Sequence, residues 1–121
     1  MNKMERSSVI AEKSKAFALR IVGLYRFLSE EKHEFVLSRQ ALRSGTSIGA
    51  NIREAARAQS RADFYTKLTI ALKEADETAY WLELLHEGGY IRTREYESLY
   101  ADCQELIRLL TAITRTLRKS L

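Results

Sequence analysis

Residues 93–121 read TREYESLYADCQELIRLLTAITRTLRKSL. Within them Tyr96, Leu99, Cys103, Leu106, Leu110, Ile113 and Leu117 recur at alternating steps of three and four. That spacing describes a helix burying one seam against other helices. It starts near Thr93, where Glu95 suits the positive end of the helix dipole. Upstream, Gly88-Gly89 marks the end of an earlier helix, because glycine takes the left-handed C-terminal conformation cheaply.

That earlier helix, the third, reaches from Ser60 to about Glu87. Ser60-Arg61-Ala62-Asp63 has the form of a capping box, with Asp63 reaching back to the start. A second helix is expected after Ser38, which would act as its N-cap, with Leu37 and Leu42 as a hydrophobic staple, and it should run to about Gln59. A first helix is expected from Val9 to Leu28 behind a Ser8 cap, with Ile10, Phe17, Ile21, Leu24 and Leu28 as its apolar stripe. The polar run Ser29-Glu30-Glu31-Lys32-His33-Glu34 separates helices 1 and 2.

Helices of 20–27 residues would be roughly 30–40 Å long. Short connections force neighbours antiparallel, so the fold class is all-α, an antiparallel up-and-down four-helix bundle spanning residues 1–121 as one domain. The absence of proline and the presence of only five glycines agree with long helices. Ala41, Gly45, Gly49 and Ala56 lie near one flank of helix 2, with Ser44, Ile48 and Ile52 beside them. Two glycines inside a helix cost about 1 kcal/mol each, so a close helix contact, within the chain or with another subunit, should offset them.

A single cysteine, Cys103, excludes an internal disulfide framework and points to a reducing compartment. No apolar run approaches the roughly 20 residues of a membrane helix, and no signal-like stretch follows Met1. The expected location is therefore cytoplasmic, with no membrane partner.

The net charge is +4, which permits nucleic-acid binding without demanding it. Its distribution is more informative. Residues 36–61 hold five arginines against one acid, Glu54, whereas residues 62–89 hold six acids against two lysines. On helix 2, Arg39, Arg43, Arg53 and Arg57 fall within about an 80° arc opposite Ile48, Ile52 and Ala55. Arg61 would extend the row, although a Ser60 cap turns the chain away there. Guanidinium groups in a row suit phosphates. The same row also fits a solvated face whose arginines pair with acids of helix 3 or of a neighbour.

No catalytic constellation accompanies these residues. Glu83-Leu84-Leu85-His86 has the Glu-x-x-His form used in di-iron bundles, but the motif occurs once and His33 falls in a loop, so no metal or other cofactor is expected. The run Lys73-Glu74-Ala75-Asp76-Glu77 lacks a recognisable pocket for acid/base work and reads as a surface face or as one that pairs with arginines across subunits. Cys103 sits in the helix 4 seam without a histidine near it in sequence. Neither an enzymatic activity nor a small-molecule substrate is expected. Helix 3 is apolar around much of its circumference (Phe64, Leu68, Ile70, Leu72, Trp81, Leu82, Leu84, Leu85), which suggests surface left over for self-association.

Ser44-Gly45-Thr46-Ser47-Ile48-Gly49-Ala50-Asn51-Ile52-Arg53-Glu54-Ala55 resembles the signature of the four helix bundle protein family. Ala58 to Phe64, Ile70 to Leu82, Gly89-Tyr90-Ile91 and, upstream, Glu12-Lys13-Ser14 and Arg20 to Tyr25 follow the same pattern across nearly the whole chain. Many members have glycine where Ala55 stands and a proline in the helix 1–2 loop. Proteins of this family are encoded within intervening sequences of some bacterial 23S ribosomal RNA genes. The resemblance implies an antiparallel bundle, a homopentamer and no catalytic residues. It is also similar in fold to a basic pentameric accessory protein that works with a reverse transcriptase and RNA. The resulting expectation is a non-enzymatic, self-associating bundle that binds RNA or DNA through Arg39, Arg43, Arg53, Arg57 and Arg61, with help from the basic C-terminal stretch Arg115, Arg118 and Lys119. The alternative is a protein-interaction scaffold without nucleic-acid binding.

Overall fold

The structure, a computed structural model, describes the backbone from Lys3 and the side chains from Val9 to Leu121. Four helices follow in order: α1 (Lys3–Glu30), α2 (Leu37–Ala55), α3 (Arg61–Glu87) and α4 (Thr93–Arg118). Helix α1 packs on α2, α2 on α3, α3 on α4 and α4 back on α1, and among the described residues the backbones of the diagonal pairs do not approach one another as closely. This is the four-cornered up-and-down bundle expected from short connections. Among the described residues no helix is long and apolar enough to cross a membrane.

The stripe Ile10, Phe17, Ile21, Leu24 and Leu28 is buried, as is the α4 seam at Leu99, Cys103, Leu106, Leu110 and Leu117. Tyr96 and Ile113 are only partly covered and pack against the core, while Thr114 turns inward. Thr114 is accommodated because its hydroxyl donates to the Leu110 carbonyl at 2.8 Å. Between α2 and α3 the buried hydroxyls of Ser44 and Thr78 lie 2.8 Å apart.

Gly45 and Gly49 explain the close seam between α1 and α2. A Cβ on Gly45 would stand 2.9 Å from the Ile21 side chain, and one on Gly49 would stand 3.4 Å from Ser14 Oγ. The partner that offsets their helix cost is thus α1 of the same chain. The α1–α4 seam is the sparsest of the four. It is clasped at the surface by Arg20, which donates to Asp102 Oδ2 at 2.6 Å and to Ser98 Oγ at 3.0 Å, and by Lys13 beside Glu105 at 2.9 Å.

Three boundaries differ from the sequence expectation. Helix α1 extends upstream to Lys3, so Ser8 lies within the helix and is not its cap. Lys3, Met4, Glu5 and Arg6 are good helix formers, and serine opposes a helix interior only weakly. Helix α2 starts at Leu37 and is capped by Glu34, not by Ser38. Glu34 accepts from the N–H groups of Val36, Leu37 and Ser38 at 3.0, 2.9 and 2.7 Å. A carboxylate with two oxygens satisfies more of the free helix donors than one hydroxyl can.

Helix α2 also ends at Ala55, short of Gln59. Arg57 N–H bonds to the Glu54 carbonyl and Ala58 N–H to the Ala55 carbonyl, both at 3.0 Å. These three-residue bonds tighten the last turn and end the helix without a glycine.

Both ends of α3 are as read. Ser60 Oγ accepts from Asp63 N–H at 3.0 Å, while Asp63 Oδ2 accepts from Gln59 N–H at 3.2 Å, one residue upstream of a standard capping box. At the far end of α3, Gly89 has φ +84°, Tyr90 N–H reaches the Leu85 carbonyl at 2.9 Å and Gly89 N–H reaches His86 at 3.0 Å. That pair of bonds is a Schellman motif.

Candidate nucleic-acid interface

The five arginines do not form one continuous row. Arg39, Arg43 and Arg53 are exposed on α2, but Arg57 lies beyond its end and Arg61 opens α3. The early stop at Ala55 is what removes Arg57 from the stripe.

Arg43 is taken up within the chain. Its guanidinium donates to Glu77 Oε2 and, at 3.4 Å, to Glu74 Oε2 on α3. The hydrogen bond to Glu77 raises the Arg43 pKa further. Glu77 also accepts from Trp81 Nε1–H at 2.9 Å; that bond, ahead of Arg43, holds its carboxyl below the usual range despite partial burial. The charged run of α3 therefore pairs with α2 of the same chain, where the sequence reading expected a surface face or pairing across subunits.

Arg53, Arg57 and Arg61 collect at the bundle end shared by the last turns of α2 and α4 and the first turn of α3. Arg61 Nη2 donates to Ser120 Oγ at 2.7 Å, which ties the tail of α4 to the α2–α3 turn. Arg115, Arg118 and Lys119 are exposed in that tail.

Segments 49–72 and 106–121 at this end hold eight Lys and Arg residues against two acids, Glu54 and Asp63. Both acids are engaged: Glu54 accepts from Lys67 Nζ at 3.0 Å and Asp63 from the Gln59 N–H. Among the described residues Arg53, Arg57, Arg115 and Arg118 have no ion pair. Segment 74–97 at the opposite end holds seven acids against Arg92 and Arg94, although Arg26, Lys32, Arg39 and Arg43 also lie toward it. The charge is thus graded along the bundle axis. Part of this grading suits the helices themselves, since cations favour the C-terminal turns of α2 and α4.

The sequence showed that residues 115–119 were basic, but not that they join Arg57 and Arg61. That juxtaposition depends on helix lengths, and helix ends are the least regular part of the sequence pattern.

The remaining candidates are used structurally. Glu83 accepts from Tyr100 Oη–H at 2.9 Å, and His86 lies 3.0 Å from Thr93 Oγ1 and stacks on Tyr96 at 4.3 Å. Among the described residues no group of three metal-binding side chains converges. Cys103 Sγ–H donates to the Ala75 carbonyl at 3.3 Å, and burial, then Asp76 and Asp102, push its pKa up to about 12. Such a thiol is a poor nucleophile. Helix α3 packs against α2 on one side and α4 on the other, leaving Ile70 and Tyr80 as its exposed large apolar side chains.

No curated protein sequence matches the chain. A solved structure from Bacteroides thetaiotaomicron, described as a protein of unknown function from the S23 ribosomal protein family, is 59% identical. The match covers 91% of this chain and 98% of that one, with a TM-score of 0.90. The 23S rRNA-intervening sequence protein family matches residues 6–112. With that span of the sequence matched and the bundle shared, the chain belongs to the family of 23S rRNA-intervening sequence proteins.

Proposed function

We propose that the protein is a non-enzymatic nucleic-acid-binding module whose contact surface is the basic end of the bundle, centred on Arg53, Arg57, Arg61, Arg115 and Arg118. The observation that carries this reading is the gathering at one end of Arg53, Arg57, Arg115 and Arg118, which have no ion pair among the described residues, while Glu54 and Asp63 beside them are held by Lys67 and the Gln59 N–H. Arg39 is a peripheral contact in this reading and Arg43 is a structural residue. Guanidinium groups without aromatic platforms beside them favour phosphate contacts over base readout.

The family description names the 23S rRNA-intervening sequence, which makes structured RNA the first probe, with duplex DNA beside it. If about four cations contact phosphates, log K should fall with log salt with a slope of roughly −3 to −4. The absence of binding at low salt would discard the reading and leave a protein-interaction scaffold.

Self-association is the second half of the proposal. Ile70 and Tyr80 on α3, with Phe35 and Val36 in the α1–α2 turn, are exposed apolar side chains. Such a set favours a contact between copies, and five copies is the stoichiometry that the family resemblance implies. Light scattering of only a 13.9 kDa particle at micromolar concentration would remove this half.

A further inference from the structure

A recess of about 260 Å³ opens in the basic end, between the α2–α3 turn and the last turn of α4. Its walls are Ala56 and Ala58 of the turn, Leu117 of α4 and the partly buried ring of Phe64. The volume falls below the roughly 300–1,000 Å³ of a drug-sized site. It accommodates one ring system and excludes a helix or a base pair.

Among the described residues the lining holds no acid and one cation, Arg61. Arg61 is tied to Ser120 Oγ at 2.7 Å, which holds the α4 wall against the turn. Two polar side chains stand among these walls. Ser60 Oγ accepts from Asp63 N–H at 3.0 Å and keeps its own proton to donate. Gln59 gives its backbone N–H to Asp63, but its exposed side-chain amide, with two donors and an acceptor, has no hydrogen bond among the described residues. Arg57 and Arg118, the sequence neighbours of these walls, are exposed and have no ion pair among the described residues.

A small apolar recess within a surface of free guanidinium groups matches the alternation of base and phosphate along a strand. Phosphate is favoured on the rim by Arg57 and Arg118 and disfavoured inside, where alanine and leucine offer it no N–H. A flat neutral ring with donors and acceptors on its edge is favoured inside. We infer that the recess receives one unpaired nucleobase, so that the substrate class of the basic end is a structured RNA with an unpaired nucleotide and not an unbroken duplex. The assignment rests on the nucleic-acid-binding reading of this end. Bases in a duplex are stacked and turned toward each other, whereas a bulged or looped base is free to enter. The guanidinium contacts position the strand; the recess distinguishes which strand it is.

The test uses the intact protein and two RNA hairpins of one sequence, one fully paired and one with a single unpaired 2-aminopurine inserted. The wild type should bind the bulged hairpin at least about tenfold more tightly. The 2-aminopurine emission should rise as the base leaves the stack. Ala56 is exposed and lies past the end of α2, so Ala56→Leu fills the recess while the fold, read by circular dichroism, is kept. It should bring the two hairpins within about twofold of each other and leave the affinity for the paired one unchanged. Gln59→Ala should lower the preference by about threefold.

Equal wild-type affinity for the two hairpins, both weakening with salt, would overturn the recess and leave the phosphate-binding reading standing. A preference undiminished in Ala56→Leu, or an unchanged 2-aminopurine emission, would overturn it in the same way. No binding to either hairpin at low salt would remove the underlying reading and this inference with it.

Discussion

Glu34 and Ser38 hold each other across the start of α2. The Glu34 carboxylate accepts the Ser38 N–H at 2.7 Å, and the Ser38 hydroxyl donates to the Glu34 carbonyl at 2.8 Å. Both side chains are buried. Glu34→Ala removes the cap and should cost about 1–2 kcal/mol, read as a lower denaturant midpoint.

The same contact gives a pH dependence. Burial alone would push the Glu34 carboxyl up, but the Leu37, Ser38 and Val36 N–H groups and the Ser38 hydroxyl outweigh it, and the pKa falls below its ordinary 4.5. A carboxyl depressed in the folded state stabilises fully above its unfolded pKa and loses that contribution as pH falls through the folded value. Stability should therefore decline below about pH 4.5, and that decline should be shallower in Glu34→Gln. Equal acid dependence of the two proteins in urea melts would show that Glu34 is not the group responsible.

Two glycines should respond in opposite directions to alanine. A Cβ on Gly23 meets nothing within 4 Å, so Gly23→Ala should stabilise by roughly 0.5–1 kcal/mol through helix propensity. A Cβ on Gly45 would crowd the buried Ile21 at 2.9 Å. Gly45→Ala should destabilise by about 1–2 kcal/mol, since overpacking exceeds the propensity gain. Thermal melts of the two variants compare them directly, and a stabilised Gly45→Ala would refute the tight α1–α2 seam.

Cys103 should be chemically silent in the folded protein. Its thiol is buried with a pKa of about 12, and the thiolate is the reactive form. Labelling by an aromatic disulfide at pH 8 should be negligible under native conditions and complete in urea. Rapid native labelling would place Cys103 nearer the surface than its position in the α4 seam.

Arg43→Ala should barely change stability. The Arg43 side chain is half exposed against Glu74 and Glu77, and such pairs contribute about 0–1 kcal/mol. The Glu77–Trp81 bond survives the change, so Trp81 emission should stay close to wild type. A large shift would mean that Arg43 positions the Glu77 carboxylate for the indole.

The bundle was legible in the sequence wherever the helical period was long and uninterrupted. The stripe Ile10 to Leu28, the α4 seam and the Gly88-Gly89 stop all stand where the residues placed them. What periodicity could not show were the helix ends. The Glu34 cap depends on one carboxylate folding back over a turn, and nothing in the spacing of Glu34 and Ser38 distinguishes that from a serine cap. The stop at Ala55 is made by backbone bonds alone, with no glycine or proline to announce it. That one misplaced boundary carried Arg57 away from the α2 stripe and hid the α2–α3 turn meeting the tail of α4. The arginines stand out in the sequence as a group; their division into a paired Arg43 and a basic end required the structure. The basic end is the surface proposed to bind nucleic acid.

The measurement that tests this most directly compares two charge-reversed proteins for structured RNA binding at low salt. One is Arg57→Glu/Arg118→Glu, at the basic end; the other is Arg39→Glu/Arg43→Glu, toward the acidic end. Both should remain folded by circular dichroism. The basic-end reading expects the first to lose about 100-fold in affinity and the second less than about fivefold. Equal losses in the two proteins, or wild-type affinity in Arg57→Glu/Arg118→Glu, would contradict it.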